Sequence, residues 1–217
     1  MKISISIISI SIVATLMFST HIHAQRTFDI GVEGGVNKPN FYGKTRKDQV
    51  FFIGFHLGAN VQTALTETWT LQAGFRYNQK GTKYESIFEQ NGGLAPDMGP
   101  ISNRYHFIEL PIHGIFNFSG KLKNLYAGAG PYLGYLASIT TRTDEKKSKI
   151  DFDETDYYKR FDAGLSIVAG YKITEKLATQ LGLKNGFVTI SKLKDAGIGK
   201  QYHRSIELAV RYNLFNK

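Results

Sequence analysis

Two histidines raise the question of chemistry first. His56 and His113 fall on the polar faces of their segments, where an imidazole could serve as general base or metal ligand. Neither is accompanied by other ligand residues at the spacing a metal shell needs, so both read as buried, hydrogen-bonded side chains. The run Gly128-Ala129-Gly130-Pro131-Tyr132-Leu133-Gly134 has the glycine density of a phosphate loop. Such a loop must open a helix and aim backbone amides at phosphate; no helical periodicity follows, and Pro131 removes a donor. Asp144, Glu145, Asp151, Asp153, Glu154 and Asp156 offer the oxygens calcium prefers. Their spacing lacks the glycine and closing glutamate of an EF-hand, and Lys146, Lys147, Lys149 and Lys159 neutralise much of the charge, so a solvated loop is expected. The chain contains no cysteine, which excludes disulfides and thiolate metal sites. No nucleophile elbow or zincin helix occurs. Catalytic, metal and cofactor residues are therefore all assigned as none.

The elements that must position any site begin after a leader. Met1-Lys2, an apolar stretch from Ile3 to Phe18, and Ser19 to Ala24 follow the order of a secretory signal, with cleavage expected after Ala24. Ser4, Ser6, Ser9 and Ser11 dilute the stretch below the roughly 20 apolar residues of a spanning helix. Residues 1–24 are thus expected to be a signal peptide and residues 25–217 one domain. The formal charge of +9 is scattered rather than gathered into a stripe, which points away from nucleic acid and toward a solvated or lipopolysaccharide-facing surface. A mean hydropathy of −0.22 does not exclude a membrane barrel, in which only every second strand residue meets lipid.

Past the leader the dominant pattern is period-two alternation, the signature of strands. Phe161, Ala163, Leu165, Ile167, Ala169, Tyr171 and Ile173 share one face, and Ile206, Leu208, Val210, Tyr212 and Leu214 another. Candidate strands cover residues 28–36, 51–64, 68–80, 104–118, 125–138, 159–173, 176–190 and 202–215. Tight connections near Glu67, Gly120 and Thr174 alternate with long ones at 37–50, 81–103, 139–158 and 191–201. That sorting predicts an all-β, eight-stranded antiparallel up-and-down transmembrane barrel with short periplasmic turns and long extracellular loops.

A lumen this narrow is filled by side chains, so its charges should nearly cancel. The inward acids are read as Asp29, Glu33, Glu109, Asp162 and Glu207, and the inward bases as Arg76, Arg160, Lys172, Lys184 and Arg211. Removing Arg211 is expected to leave a confined carboxylate unpaired. Inward glycines such as Gly58, Gly128 and Gly164 make room for Tyr126, Tyr132 and Arg76. Trp69, Tyr77, Tyr105, Tyr135, Phe161, Tyr171, Tyr212 and Phe215, near segment ends, are expected in interfacial girdles.

The segment Tyr105-His106-Phe107-Ile108-Glu109-Leu110-Pro111-Ile112 resembles a strand of the PorT-like outer-membrane β-barrel proteins of the Bacteroidetes. The next segment, Tyr126 to Tyr135, and Phe161-Asp162-Ala163-Gly164-Leu165 resemble the family's following strands in order. The resemblance implies an outer-membrane barrel but no shared activity; one named member is associated with type IX secretion. Pro111, inside a strand, is expected at a bulge. Tyr212 and Phe215 suit recognition by the barrel-assembly machinery, although Asn216-Lys217 extend past the usual aromatic end.

Three functions compete on these grounds. A plugged barrel can act as a structural or interaction protein through its extracellular loops, with a surface or secretion component as partner and the long loop 81–103, with Gly92-Gly93, Pro96 and Pro100, as the contact region. A barrel enzyme would use His56 or His113 with a loop Ser or Asp on lipid or peptide. A soluble periplasmic carrier would need an apolar interior, which the polar inward faces oppose. The first reading is adopted: not an enzyme, no cofactor, no nucleic acid, with membrane lipid and lipopolysaccharide around the barrel.

Overall fold

A sheet with one apolar and one polar face confines the polar face and leaves no unpaired edge when it closes on itself, and this chain does so. The computed structural model describes residues 28–43, 49–50, 52–84, 100–143, 147–150, 158–189 and 201–215. Residues 1–24, most of the acidic stretch, Gly92, Gly93, Pro96, Asn216 and Lys217 lie outside them, as does the Phe215 side chain. Ten strands follow in order: β1 (Phe28–Gly43), β2 (Gln49–Val50), β3 (Gly54–Ala64), β4 (Trp69–Tyr84), β5 (Ile101–Asn117), β6 (Leu125–Arg142), β7 (Lys147–Ile150), β8 (Phe161–Lys172), β9 (Leu177–Gly186) and β10 (Gln201–Phe215). The eight long ones form an antiparallel ring in chain order, closed by β1 against β10 and by β4 against β5. Short β2 and β7 extend β4 and β6 beyond the ring.

The turns at one end are built by local chemistry. Leu65 N–H donates to Trp69 O at 2.8 Å, and Trp69 N–H to Thr66 Oγ1 at 3.0 Å. The turn at 173–176 repeats this: Ile173 N–H donates to Leu177 O at 2.8 Å and Leu177 N–H to Thr174 Oγ1 at 3.0 Å. A threonine two residues past the strand satisfies the backbone in each case. A 3₁₀ turn at Gly120–Leu122 makes the third connection at this end.

Four strands run further than the alternation suggests. β1 continues to Gly43, β4 to Tyr84 and β6 to Arg142, while β5 starts at Ile101. Near the loop end both faces carry polar residues, as at Asn37, Lys38 and Asn40, so the hydropathy pattern stops while the hydrogen-bonded ladder goes on. Pro111 is not at a bulge. It faces Tyr132 in unshifted register, and the β4–β5 ladder is interrupted at Gly74 and Phe75 instead. A Cβ on Gly74 would lie 3.1 Å from Pro111 Cγ, so the missing side chain accommodates the ring. The register shift falls at His106/Phe107, where Ala137 is the extra residue, and it turns Ile139 inward beside Leu136.

The outer wall is apolar around the ring: Phe28, Leu57, Phe75, Leu133, Phe161, Ile167, Leu181 and Leu208 are each at least half exposed. Trp69, Tyr171 and Tyr212 stand outward at the short-turn end and Tyr135 and Phe161 toward the other. Tyr105 does not join them. It points inward, 6% exposed, packed with Phe107, Leu136 and Ile139, because its place on β5 is in phase with Phe107 and Glu109.

Candidate functional site

The polar face of each strand is confined inside the ring, so its charges must find one another. Arg76 on β4 sits at the centre. Its Nη1 lies 3.3 Å from Glu33 Oε1, and its Nη2 lies 3.1 Å from Glu109 Oε2 and 2.8 Å from Glu207 Oε2. Lys184 pairs with Glu109 and, at 3.2 Å, with Glu207. Lys80 Nζ joins Glu109 Oε1 at 2.9 Å to Asp162 Oδ2 at 3.2 Å, and His203 Nδ1 meets the same Asp162 oxygen at 3.1 Å. Asn78 Nδ2 donates to Glu109 and Glu207, and its Oδ1 accepts from Asn37 Nδ2 at 2.6 Å.

None of these side chains is more than a few per cent exposed. In so dry a setting each ion depends on its partners, and removing one leaves another charge buried without compensation. The register explains the convergence: Glu33 faces Gly58, Gly58 faces Arg76, and Arg76 faces Glu109 on successive strands. A Cβ on Gly58 would lie 2.7 Å from Arg76 Cα, so glycine there makes room for the arginine to cross the lumen.

Layers above and below complete the filling. Toward the loop end, Tyr105, Phe107, Leu136 and Ile139 form an apolar lid with Ile150 and Tyr158 against it. Lys80 Nζ lies 4.5 Å from the Phe107 ring centroid and Lys184 Nζ 5.1 Å from that of Tyr132, so ring faces support the cations from the side. Toward the turn end, Ile115, Tyr126 and Val168 pack together. Tyr126 Oη donates to Gln180 Oε1 at 3.2 Å, and Arg211 Nη1 donates to the same oxygen at 3.1 Å.

Glu33, Arg76, Glu109, Asp162, Lys184 and Glu207 thus meet in one network. Four other residues expected in this network stand apart from it, three of them still on the inward face. Arg160 precedes β8, so the strand's alternation does not reach it; its Nη1 donates to Tyr135 Oη at 3.0 Å, on the outer wall at the rim. Asp29 and Lys172 lie at the turn-end mouth, where Lys172 Nζ donates to Asn117 Oδ1 at 2.8 Å. Arg211 faces Glu33 across the closing strand pair but turns toward the mouth, and no carboxylate among the described residues pairs with it. The expectation that its removal strands a carboxylate is therefore corrected: that role belongs to Arg76.

Lys80, Asn78, Asn37 and His203 were missed. Arg76, Asn78 and Lys80 share the inward phase of β4, and His203 shares that of Glu207 on β10, so phase alone marks Asn78, Lys80 and His203 within the strands already expected, whereas Asn37 is marked only once β1 is extended past residue 36.

The two histidines are enclosed. His56 is 1% exposed and neither ring nitrogen has a hydrogen-bond partner, contrary to the bonded state expected for it. His113 Nε2 lies 2.5 Å from Ser166 Oγ, but its Nδ1 has no partner and both residues are buried. A serine–histidine pair without an orienting third group or an opening to substrate lacks the arrangement of a nucleophilic site.

A closed ring of eight antiparallel strands, lipid-compatible outside and polar within, defines a small transmembrane barrel of the outer-membrane type. Residues 19–192 match the family described as outer membrane protein beta-barrel domain, and the chain belongs to that family. The protein is an outer-membrane β-barrel. Similar solved structures include Ail, the attachment invasion locus protein of Yersinia pestis, in complex with a heparin analogue, sucrose octasulfate (13% identity, covering 86% of this chain and 99% of that one, TM-score 0.44). Neisserial surface protein A (11% identity, 88% and 100% covered, TM-score 0.47) is another. OprG of Pseudomonas aeruginosa is a third (11% identity, 89% and 99% covered, TM-score 0.42). No curated protein matches the chain.

Proposed function

We propose that this protein is a plugged barrel whose lumen carries nothing across the membrane and whose extracellular loops bind a surface or secretion partner. The observation that carries this reading is the Arg76–Glu109 network, which spans the lumen with buried side chains under an apolar lid. With the interior committed to its own ion pairs, recognition falls to the segments beyond the strands. The segment 85–99, which lies between β4 and β5 within the long loop expected at 81–103, is the proposed contact. We read the protein as non-enzymatic, given how deeply His56 and His113 are enclosed.

The strand motifs around Glu109, Gly130 and Asp162 support assignment to the PorT-like group, with residues 1–24 as a cleaved leader. Lys38, Lys83, Arg104 and Arg204 lie on the outward phase toward the loop end, where anionic lipopolysaccharide is the fitting neighbour. Arg204 is held flat there, 4.6 Å over the Tyr42 ring with its Nε donating to Asn185 Oδ1 at 3.1 Å. The barrel-assembly machinery is the proposed insertion partner.

Replacing residues 86–98 by a short Gly-Ser turn tests the reading. The trimmed barrel is expected to reach the outer membrane with normal heat-modifiable mobility, yet give the same envelope phenotype as a strain lacking the protein. Full complementation by the trimmed barrel would overturn the proposal.

A further inference from the structure

Below the ionic network the ring opens at its turn end into a cavity of about 490 Å³. Its roof is the packed layer of Ile115, Tyr126 and Val168, so it is a blind vestibule rather than one end of a channel. Arg211 and Lys172 both line it.

Arg211 is an unusual cation. It is only 5% exposed, yet its partners are neutral: Nη1 donates to Gln180 Oε1 at 3.1 Å and lies 3.5 Å from Tyr126 Oη. Its Nε is buried with no partner, and its Nη2 donates to no group among the described residues. Lys172 is likewise without a carboxylate, its amine bonded to the Asn117 amide oxygen. Among the described residues the other buried cations of the lumen, Arg76, Lys80 and Lys184, each meet at least one carboxylate. A desolvated guanidinium without a counter-charge is costly, and a second cation in the same cavity adds to that cost. An anion with two or more oxygens relieves both, since the free edge of a guanidinium matches carboxylate and phosphate geometry.

We propose that this vestibule binds a small soluble anion from the periplasmic side through a carboxylate or phosphate group received by Arg211 and Lys172. Asp29 lines the same cavity with its Oδ1 buried and unpartnered, and the exposed Glu67, Glu175, Lys123 and Lys176 line it as well, their charges cancelling in pairs. The Asp29 charge weakens the hold on multiply charged anions and favours a monoanion. The site lies inside the strand ring, away from the lipid-facing wall, which fits a soluble solute rather than a lipid headgroup.

Isothermal titration of the refolded full-length chain in nonionic detergent, with inorganic phosphate and with acetate as probes, tests this. Saturable binding of at least one probe is expected. Arg211→Gln is expected to weaken it at least tenfold and Lys172→Gln several-fold, whereas Asp29→Asn should tighten phosphate. Heat-modifiable mobility checks folding, and Lys172→Gln, at a half-buried site, keeps the test open if Arg211→Gln does not fold. Absence of saturable binding by the unaltered barrel, or binding unchanged in the folded variants, overturns the proposal. Displacement of the probes by phosphatidylglycerol added to the micelles would overturn the soluble-anion assignment.

Discussion

Arg76→Ala is expected to destabilise the barrel by about 3–5 kcal/mol, the cost typical of removing one partner from a buried ion cluster. Three carboxylates, Glu33, Glu109 and Glu207, lose a cation at once; Lys80 and Lys184 remain for Glu109, Lys184 alone for Glu207, and Glu33 keeps none among the described residues. Equilibrium unfolding in lipid vesicles, followed by the emission of Trp69, the single tryptophan, measures the change. Arg211→Ala provides the contrast: its guanidinium touches Gln180 and Tyr126 and no carboxylate, so a smaller loss of about 1–2 kcal/mol is expected. Equal effects at the two positions would show that the carboxylates do not depend on Arg76 in the way its distances imply.

Ile167→Arg carries the second large effect. Ile167 lies near the middle of β8, 60% exposed on the outer wall. Placing arginine on a barrel's lipid face at the bilayer midplane costs about 2–4 kcal/mol. On a water-exposed wall the same change would fall within about 0.5 kcal/mol. Unfolding from bilayers therefore distinguishes the two environments: a cost near the lipid value is expected, and an unchanged midpoint would contradict a membrane-embedded wall.

The faces of the strands were legible because period-two alternation has only two phases. Once Ile108, Leu110 and Ile112 point to lipid, Glu109 must point inward, and the same logic places Asp162, Lys184 and Glu207. The alternation of tight and long connections likewise matched the up-and-down order of the ring. The strand ends were not legible. At the loop end the ladder outlasts the hydropathy pattern, so Asn37 and residues 81–84 read as loop although they are paired strand. Arg160 shows the opposite error, a phase carried one residue beyond the start of β8.

Which inward residues meet was also hidden, because it depends on the stagger of eight strands. Arg211 lies directly opposite Glu33 in register but bonds elsewhere. His203 reaches Asp162 from a strand that is not its neighbour in the ring, since β9 lies between β8 and β10. Equal numbers of inward acids and bases indicate that a network exists; they do not say that Arg76 and Lys80 anchor it.

Planar-bilayer recording of the refolded protein tests closure of the lumen most directly. With the network of Arg76, Glu109, Glu207 and Lys184 across the interior and the Tyr105–Ile139 lid above it, the unaltered barrel is expected to insert without discrete, long-lived conductance steps. Reproducible open channels of fixed conductance would contradict a plugged barrel and return the search for function to the lumen.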